Sequence, residues 1–410
     1  MRLLVYEHVS GGGFADESIP CSVLSEGFGM LRTLISDFKA AGHSVTTTLD
    51  SRIAGLNPPL DADCVVPVFS SREVDVNIRK FSEQADAVYV IAPETDGVLQ
   101  SLVELAEQTG ASSLNCSADA IGKVSDKAGF YEIMKKLGVP MPEAKMFSVA
   151  DDVAEIKKAV RGSLNFPVIF KPSNGVSCCG LSVVKNEGQV AGAVNKIKGE
   201  SSSKHFIVQE LIKGAAASVS LLATGSDAEP VSLNRQYVAI ETPEACSSYS
   251  GGLVPFDNPL WAEAFDVAKK LCKSVSGLRG YIGVDFVLSE AEAVAIEVNP
   301  RLTASYVGLR RVINFNSAQA IVNAVLNREL PKRIQSCGRT YFSKIETPNP
   351  TIDAFQEICM IPEVVSPPFP VSDNAAASAL ITSCGATLTE AAAKFREAKK
   401  RVLNIISRGK

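Results

Sequence analysis

The sequence predicts an α/β fold, α+β in part, with a parallel sheet first and antiparallel hairpins later. Short apolar runs alternate with helical patterns through the first 118 residues, which is typical of a parallel sheet covered by helices. Further on, alternating segments follow one another closely, and residues 283 to 300 form the best hairpin in the chain. The 410 residues, 46% of them hydrophobic, are enough for two or three domains with substantial cores.

Composition and charge exclude several function classes. The formal net charge of −4 gives no electrostatic case for binding nucleic acid. No segment approaches the ~20 apolar residues needed to cross a bilayer, and Glu7 and His8 interrupt the first apolar run, unlike a signal peptide. The ten cysteines include no CxxC pair and no zinc-like cluster, and Cys178 and Cys179 are interpreted as small loop residues. We therefore expect no membrane partner and a reducing, cytoplasmic setting.

The first segment contains four predicted strands, RLLVY, SVTTTL, DCVVPV and DAVYVIAPE, and a helix over 24–41. The loop SGGGF after the first strand could cradle a phosphate, but it lacks the GxGxxG spacing. The alternative is a flexible loop that closes over a small substrate or simply turns the chain. Glu7 and Glu94 follow strands of this sheet, where α/β sheets bind ligands. Each is a candidate substrate-binding residue, and for each a structural role remains open.

Two lysines occupy positions that favour a phosphate ligand. Phe130, Ile133, Met134 and Leu137 form one helical stripe, and Lys127 lies in the first turn, where the macrodipole disfavours a cation unless an anion is near. Lys171 ends the strand FPVIFKPS, before a loop of glycines and small hydroxyl residues. Such a loop suits a flap over a polyphosphate, although a plain hairpin with a surface lysine stays open.

The hairpin GVDFVLSE and AVAIEVNP carries the polar groups expected of a metal site. With a turn over 290–292, Asp285 lies opposite Glu297 on one face, so a positive group must lie between them. Together with Asn299 these oxygens suit Mg²⁺ (or Mn²⁺) rather than zinc or copper. The alternative is a pair of rim acids neutralised by Arg301. In the tail, Thr387 and Glu390 predict a capping box before a stripe of Leu388, Ala391, Phe395 and Val402.

Six features occur in order along the chain: Lys127, Lys171, the loop 173–180, QELIKG, GVDFVL and IEVNPRL. Together they resemble the ATP-grasp superfamily over residues 118 to 330. The resemblance implies an ATP-grasp fold in four parts. These are an N-terminal parallel-sheet pre-ATP-grasp domain (1–118), a small lid domain (119–211), a larger antiparallel-sheet domain that binds magnesium (212–330), and C-terminal strands and a helix packed on it (331–410).

The resemblance also implies roles for individual residues. Lys171 and Arg301 would be catalytic, with Arg301 stabilising the transferred phosphoryl group or an acyl phosphate, and Asp285, Glu297 and Asn299 would bind Mg²⁺. One departure is that Ala215 to Ala217 stand where many relatives have a ribose-binding glutamate. The residues implied to bind ATP are Lys127, Lys171, Ser173, Asn174, Gly175, Ser177, Gly180, Gln209, Glu210 and Leu211.

Within the superfamily, the chain is more similar to the archaeal-type carboligases that include tyramine-glutamate ligase of methanofuran biosynthesis. The segments that carry this similarity are LLVYEHVSGGG, VIAPETDG, LNRQYV, YSGGLVPF and FSKIETPNP. It implies an ATP-dependent carboxylate-amine ligase that acts through an acyl phosphate on small molecules, with L-glutamate plus tyramine or a related amine as substrates. Arg235 and Tyr249 are further substrate candidates, and for each a structural role is equally open.

Three alternatives remain open: an ATP-grasp carboxylase, another amino-acid ligase, and a non-catalytic ATP-binding regulatory protein. The sequence separates the first two from the leading hypothesis poorly, because acceptor pockets lie on variable loops. The presence of Asp285, Glu297 and Asn299 argues against the third. A homodimer is expected from base rate alone.

Overall fold

The computed structural model describes residues 1–174, 178–371 and 376–408, and its strands form three sheets. The predicted α/β class with an N-terminal parallel sheet and later antiparallel sheets is confirmed. None of the helices in these ranges combines the length and the hydropathy of a membrane span.

The first sheet has five parallel strands in the order β3-β2-β1-β4-β5. The four strands predicted in this region and the predicted first helix are present. Strand β4 is buried along its whole length, as expected when helices cover both faces of a parallel sheet. The elements are β1 (Arg2–Glu7), α1 (Cys21–Ala40), β2 (Ser44–Asp50), α2 (Ser51–Ala54), β3 (Cys64–Val68), α3 (Glu73–Glu83), β4 (Ala87–Ile91), α4 (Val98–Glu107), β5 (Ser112–Ser113) and α5 (Ala118–Ser125).

The second sheet has four antiparallel strands in the order β6-β9-β7-β8 and its own hydrophobic core. The helix before it begins at Lys127 and ends at Gly138, whose φ of 60° supplies the left-handed residue that terminates a helix. The elements are α6 (Lys127–Leu137), β6 (Ala144–Ser148), α7 (Val153–Ser163), β7 (Val168–Pro172), β8 (Ser182–Val184), α8 (Val190–Glu200) and β9 (His205–Glu210).

The third sheet has eight antiparallel strands in the order β14-β13-β10-β11-β12-β15-β17-β16. The sheet continues across the predicted domain boundary at 330/331, because β15, which follows the boundary, pairs with β12, which precedes it. The elements are β10 (Ala215–Thr224), β11 (Ala228–Ala239), β12 (Ser248–Val254), α9 (Trp261–Ser274), β13 (Arg279–Leu288), β14 (Ala293–Asn299), α10 (Tyr306–Leu309), α11 (Ser317–Val322), β15 (Arg339–Pro348), α12 (Ile352–Cys359), β16 (Val364–Ser366), β17 (Ala376–Gly385) and α13 (Leu388–Arg408).

The β13–β14 hairpin reaches the predicted register by a different route. Leu288 pairs with Ala293, so the turn has four residues rather than the predicted three. A bulge at Ile296 then shifts the register by one, and Asp285 lies opposite Glu297 as predicted. The predicted three-residue turn was wrong, but the predicted pairing was right. The extra residue at the bulge in β14 offsets the extra residue in the turn.

The last helix begins with one of the two hydrogen bonds of the predicted capping box, and the second involves the residue before Thr387. Thr387 Oγ1 accepts a hydrogen bond from the Glu390 amide at 3.2 Å, and Glu390 Oε2 accepts one from the Ala386 amide at 2.8 Å. Phe395 and Val402 are buried against the sheet, as the stripe predicted. Leu388 is 41% exposed, so its place on the buried stripe was wrong. It is the first residue of α13, ahead of the turns that contact the sheet.

Candidate active site

A cavity of about 840 Å³ is lined by residues of the second and third sheets, together with Glu26 of α1 and Glu94 after β4. Among the described residues, it brings together thirteen of those predicted from the sequence, which span more than 200 positions of the chain. They are Glu94, Lys127, Lys171, Asn174, Gln209, Glu210, Leu211, Arg235, Tyr249, Asp285, Glu297, Asn299 and Arg301.

The carboxylates lie in a polar row that crosses four strands. Asn234 of β11 pairs with Ser218 of β10, Ser218 pairs with Asp285 of β13, and Asp285 pairs with Glu297 of β14. Residues that pair directly share one face of a sheet. The third sheet therefore carries a polar strip across these strands, and its members Ser218, Asp285 and Glu297 line the cavity.

Two amides hold the Asp285 carboxylate from both sides. Asn299 Nδ2 donates to Oδ2 at 3.1 Å, and Gln236 Nε2 donates to Oδ1 at 3.1 Å. Gln236 was missed by the sequence analysis, which chose its neighbour Arg235 in LNRQYV. The period of two along β11 places Gln236 on the same face as Asn234, but the contact depends on which strand lies beside β11.

Cations occupy the space beside the two carboxylates, as the hairpin register predicted. Lys127 Nζ lies 3.4 Å from Glu297 Oε2. Burial and repulsion by Lys127 lower the pKa of Lys171 to about 8. Burial opposes ionisation of Glu297, yet the attraction of Lys127 and Lys171 holds the pKa of this carboxyl below its usual value. The two lysines thus serve one acidic site from two separate elements, α6 and β7.

Arg301 pairs with Glu94 rather than directly with either carboxylate of the hairpin. Its Nε lies 3.0 Å from Glu94 Oε1, and both side chains are largely buried. Glu94 follows β4 of the first sheet, so this ion pair joins the N-terminal domain to the end of β14. A residue that follows the carboxyl end of a parallel strand therefore contributes to the site, where α/β sheets were predicted to bind ligands.

The Asp285 and Glu297 pair fits a divalent cation. Burial and then the Glu297 charge raise the pKa of Asp285 to about 7, so an additional positive charge would stabilise the ionised pair. Two carboxylates and an amide oxygen are hard ligands, and Mg²⁺ takes one or two carboxylates and completes its shell with water and phosphate oxygens. The donor set therefore suits Mg²⁺ in company with a polyphosphate.

The flap predicted over residues 173–180 lines the cavity only in part. Asn174 lines it and donates from Nδ2 to Asp96 Oδ1 at 3.0 Å. Ser173 and Gly180 do not line it: the Ser173 hydroxyl lies 2.9 Å from the Ser203 hydroxyl, and the Gly180 amide donates to Glu200 Oε2 at 2.8 Å. Gly175 and Ser177, also predicted to bind ATP, lie outside the described residues.

The wall around Gln209, Glu210 and Leu211 is largely apolar. Ala216, from the run Ala215 to Ala217, lines it, and its carbonyl accepts from Arg235 Nη1 at 3.4 Å. Flat apolar walls suit a purine ring, since ligand pockets combine such walls with few polar groups. The apolar side chains here were not identified from the sequence and include Val124, Ile169, Phe286, Ile296 and Val298.

Glu7 lies outside the cavity, so the sequence hypothesis of a substrate role finds no contact. Its carboxylate accepts hydrogen bonds from the Val9 amide at 3.0 Å and from the Ser10 amide at 2.7 Å. The Gly11 and Gly13 amides donate to carbonyls of Glu7 and His8. The glycine loop is thus a compact turn whose Val9 and Ser10 amides are hydrogen-bonded by the Glu7 carboxylate. The sequence alone does not distinguish such a carboxylate from one that is free to bind a ligand.

Two charged residues at another edge of the cavity were missed. Glu26 of α1 lines the cavity, and its Oε1 lies 2.5 Å from Lys344 Nζ of β15. The same ammonium lies 5.6 Å from the centre of the Tyr249 ring. Lys344 belongs to FSKIETPNP, which carried the family resemblance without a role for the lysine. Nothing in the sequence around Glu26 distinguishes it from a surface helix residue.

Cys178 and Cys179 both line the cavity, and all ten cysteines are free thiols. Burial raises the pKa of the Cys178 thiol to about 11, so it is not a thiolate nucleophile. This agrees with the interpretation of the pair as small residues of the loop.

Comparisons with known proteins agree with the architecture. Residues 124–305 match the ATP-grasp domain family and residues 43–121 match the pre ATP-grasp 3 domain family. The chain is 27% identical over 335 residues to the tyramine–L-glutamate ligase of Methanocaldococcus fervens, covering 81% of this chain and 97% of the relative.

Two solved structures share the fold. An ATP-grasp superfamily protein from Archaeoglobus fulgidus superimposes with a TM-score of 0.62 at 24% identity, covering 93% of this chain and 99% of that chain. Biotin carboxylase from Campylobacter jejuni, crystallised as a β,γ-ATP complex, gives a TM-score of 0.70 at 16% identity, with coverages of 97% and 90%.

Proposed function

Because this chain belongs to the ATP-grasp superfamily and is an ATP-dependent ligase that forms C–N bonds, we propose that it joins a small carboxylate to an amine through an acyl phosphate. The observation that carries the proposal is the pairing of Asp285 with Glu297 beside Lys127 and Lys171 in one cavity. This arrangement neutralises polyphosphate charge and offers no activated protein nucleophile, as phosphoryl transfer between substrates requires.

In this proposal, Lys127 and Lys171 hold the ATP phosphates in line with the substrate carboxylate. An oxygen of that carboxylate attacks the γ-phosphorus, the bond from phosphorus to the β–γ bridging oxygen breaks, and ADP leaves. Arg301 neutralises the charge that spreads over the transferred group. Asp285, Glu297 and Asn299 would hold Mg²⁺, which when bound neutralises phosphate oxygens and fixes their orientation.

The second step forms the C–N bond. The amine nitrogen attacks the acyl carbon, the bond from that carbon to the phosphate oxygen breaks, and inorganic phosphate leaves. In this proposal Glu94, which pairs with Arg301, receives the amine and accepts its proton. The transient acyl phosphate would hydrolyse in water, so the lid around Asn174 must exclude solvent before it forms.

For the substrates we propose L-glutamate together with tyramine or a related amine. The support is the similarity of 27% to a relative that bears this name and that the chain matches over nearly the relative's full length. The cytoplasmic setting and the homodimer remain predictions.

The test is to mix the purified protein with ATP, Mg²⁺, L-glutamate and tyramine, and to follow ADP together with the mass of any product. ADP plus a product equal to the two substrates less one water supports both the chemistry and the substrates. ADP only with other carboxylate and amine pairs would keep the chemistry and reject these substrates. Bound ATP without ADP across the panel would contradict the proposed activity.

A further inference from the structure

The ion pair of Glu26 and Lys344 lies at the edge of the active-site cavity and is not used by the phosphoryl-transfer chemistry. Glu26 comes from helix α1 of the N-terminal domain, and Lys344 comes from β15 near the end of the chain. Their side chains are only 15% and 12% exposed. Lys344 Nζ also donates to Ser22 Oγ at 2.8 Å. Two distant segments therefore meet through opposite charges beside the cavity, which Glu26 lines.

Stability alone does not explain such a pair. Removing two charges from water costs several kcal/mol, and apolar residues of similar volume usually stabilise a fold as well or better. The wall of the third sheet next to Lys344 is already aromatic, with Tyr249 and Phe342 lining the cavity. A charged pair beside aromatic side chains, with Glu26 lining the cavity and Lys344 in contact with Glu26, favours a ligand that carries charge itself.

Tyr249 connects this edge of the cavity with the metal site. Burial raises the pKa of its hydroxyl, and the carboxylates of Glu26 and Asp285 raise it further. One ring thus lies within the electrostatic range of both carboxylates. Glu26, Tyr249, Asp285 and Arg301 all line the same cavity, so a small molecule held at the ion pair can extend toward the phosphoryl-transfer centre.

We propose that the Glu26–Lys344 pair binds the zwitterionic head group of an amino acid substrate, with Glu26 holding the ammonium and Lys344 the α-carboxylate. The side-chain carboxylate of that substrate then extends toward Arg301 and is the group that is phosphorylated. This inference rests on the proposed function, because it assigns the residues that recognise the amino acid substrate of that reaction.

The opposite charges of the pair are what select this class. A zwitterion satisfies both groups at once, whereas a dicarboxylate without an ammonium leaves Glu26 without a partner on the ligand. An amino acid without an α-carboxylate, such as 4-aminobutyrate, leaves Lys344 without a carboxylate partner on the ligand. Because an unmatched buried charge is costly, both analogues bind less tightly.

The experiment measures binding rather than turnover. Calorimetric titrations of L-glutamate, glutarate and 4-aminobutyrate are made into the full-length protein with Mg²⁺ and a non-hydrolysable ATP analogue. We expect L-glutamate to bind at least about tenfold more tightly than either analogue. Glu26→Gln should abolish the preference over glutarate, and Lys344→Met should abolish the preference over 4-aminobutyrate.

Matched controls separate recognition from folding. Lys39→Met and Asp63→Asn remove partners of an ion pair with the same 2.5 Å separation in the N-terminal domain, outside the cavity, and should keep both preferences. The double variant Glu26→Gln with Lys344→Met leaves neither charge unpaired and should bind all three ligands about equally. ATP-analogue affinity should stay unchanged in every variant.

Three outcomes overturn the proposal: preferences that persist in both single variants, equal weakening of all three ligands by each variant, or no binding of L-aspartate, L-glutamate or L-2-aminoadipate by the unaltered protein. The last outcome together with ADP formation from another carboxylate would leave the proposed ligase function standing. Conversely, specific binding without ADP formation by any pair would reject the ligase function and keep the subsite.

Discussion

Lys171 shows how one residue depends on its buried surroundings. It ends β7 at the cavity, where burial and Lys127 lower its pKa and the carboxylates of Glu297 and Asp285 oppose that shift. A cation so placed is held in position before any phosphate arrives. Preorganised charge of this kind stabilises developing negative charge more than a mobile surface lysine does.

Lys171→Ala should therefore lower the rate of ADP formation by a factor on the order of 100 to 1,000 without unfolding the protein. The rate of ADP release and the thermal unfolding midpoint are measured together. Lys158→Ala, on the exposed side of α7 in the same domain, is the control and should retain full activity. Normal turnover by the Lys171 variant would refute its assignment.

His8 makes the glycine loop sensitive to pH. Its ring lies against Tyr6 and Phe14, with Nδ1 3.3 Å from the Tyr6 hydroxyl, and burial lowers its pKa to about 4. The unfolded chain, with an ordinary histidine pKa, binds more protons than the fold between about pH 6.5 and 4. The contribution of the neutral His8 imidazole to the free energy of unfolding is thus fully present above pH 6.5 and is lost as the pH falls toward 4.

Between pH 7.5 and 5, the unaltered protein should lose up to about 2 kcal/mol more unfolding free energy than His8→Gln, which cannot titrate. The measurement is the thermal unfolding midpoint of both proteins across that range. Other acid-sensitive groups affect both proteins equally, so only the difference counts. Curves that stay parallel would show that His8 does not titrate in this range.

At the level of elements, a short 3₁₀ turn of the N-terminal domain holds the lid loop. Asp96, in the turn Thr95–Gly97, accepts hydrogen bonds from Asn174 Nδ2 at 3.0 Å and from the Ser202 hydroxyl at 2.9 Å. Its φ of 53° is a left-handed conformation, which an aspartate tolerates and a glycine adopts freely. The carboxylate thus links two loops of the four-stranded domain to the first sheet.

Asp96→Gly removes this link without straining the turn, so the lid should close less completely over the acyl phosphate. We expect the amount of amide formed per ADP to fall severalfold, because water competes with the amine. Asp96→Asn retains one acceptor oxygen and should give an intermediate ratio. Asp61→Ala, at an exposed position of the same domain, should leave the ratio unchanged.

An unchanged ratio of amide to ADP in Asp96→Gly would show that lid closure does not depend on this contact. A fall in the ADP rate with a constant ratio would point to impaired nucleotide binding instead. The two measurements together therefore separate solvent exclusion from phosphate positioning.

At the scale of the whole molecule, a largely buried charge cluster joins the first helix to the third sheet's domain. Asp37 of α1 accepts from the Tyr306 hydroxyl at 2.7 Å and from Arg310 Nε at 2.8 Å. The Asn316 side chain donates to the Asp37 carbonyl at 2.8 Å. These contacts fix the N-terminal domain against the segment that follows Arg301, and so help to hold Glu94 beside Arg301.

Asp37→Asn should destabilise the protein by on the order of 3 kcal/mol, because Arg310 would be left without its carboxylate. The thermal unfolding midpoint should fall by several degrees. Asp257→Asn breaks an ion pair with Arg339 in which the aspartate is 81% exposed, and should change stability by less than about 0.5 kcal/mol. Equal midpoints for the two variants would contradict the role of the cluster.

Much of the fold was accessible from local patterns in the sequence. The parallel strands of the first sheet are short apolar runs between helical segments, and α6 ends at a glycine with the expected left-handed conformation. The facing of Asp285 and Glu297 followed from the period of two in a hairpin. These predictions succeeded because side-chain periodicity and turn chemistry act over a few neighbouring residues.

By itself, the sequence determined the order of the elements and the polar groups that β13 and β14 present together. Only the tertiary structure decided that Gln236 reaches Asp285, that Glu26 meets Lys344, and that Glu7 caps its own loop instead of facing the cavity. The physical reason is that these contacts depend on which strands lie side by side and how α1 lies against β15. Such long-range packing is set by the burial of whole faces, which no local pattern specifies.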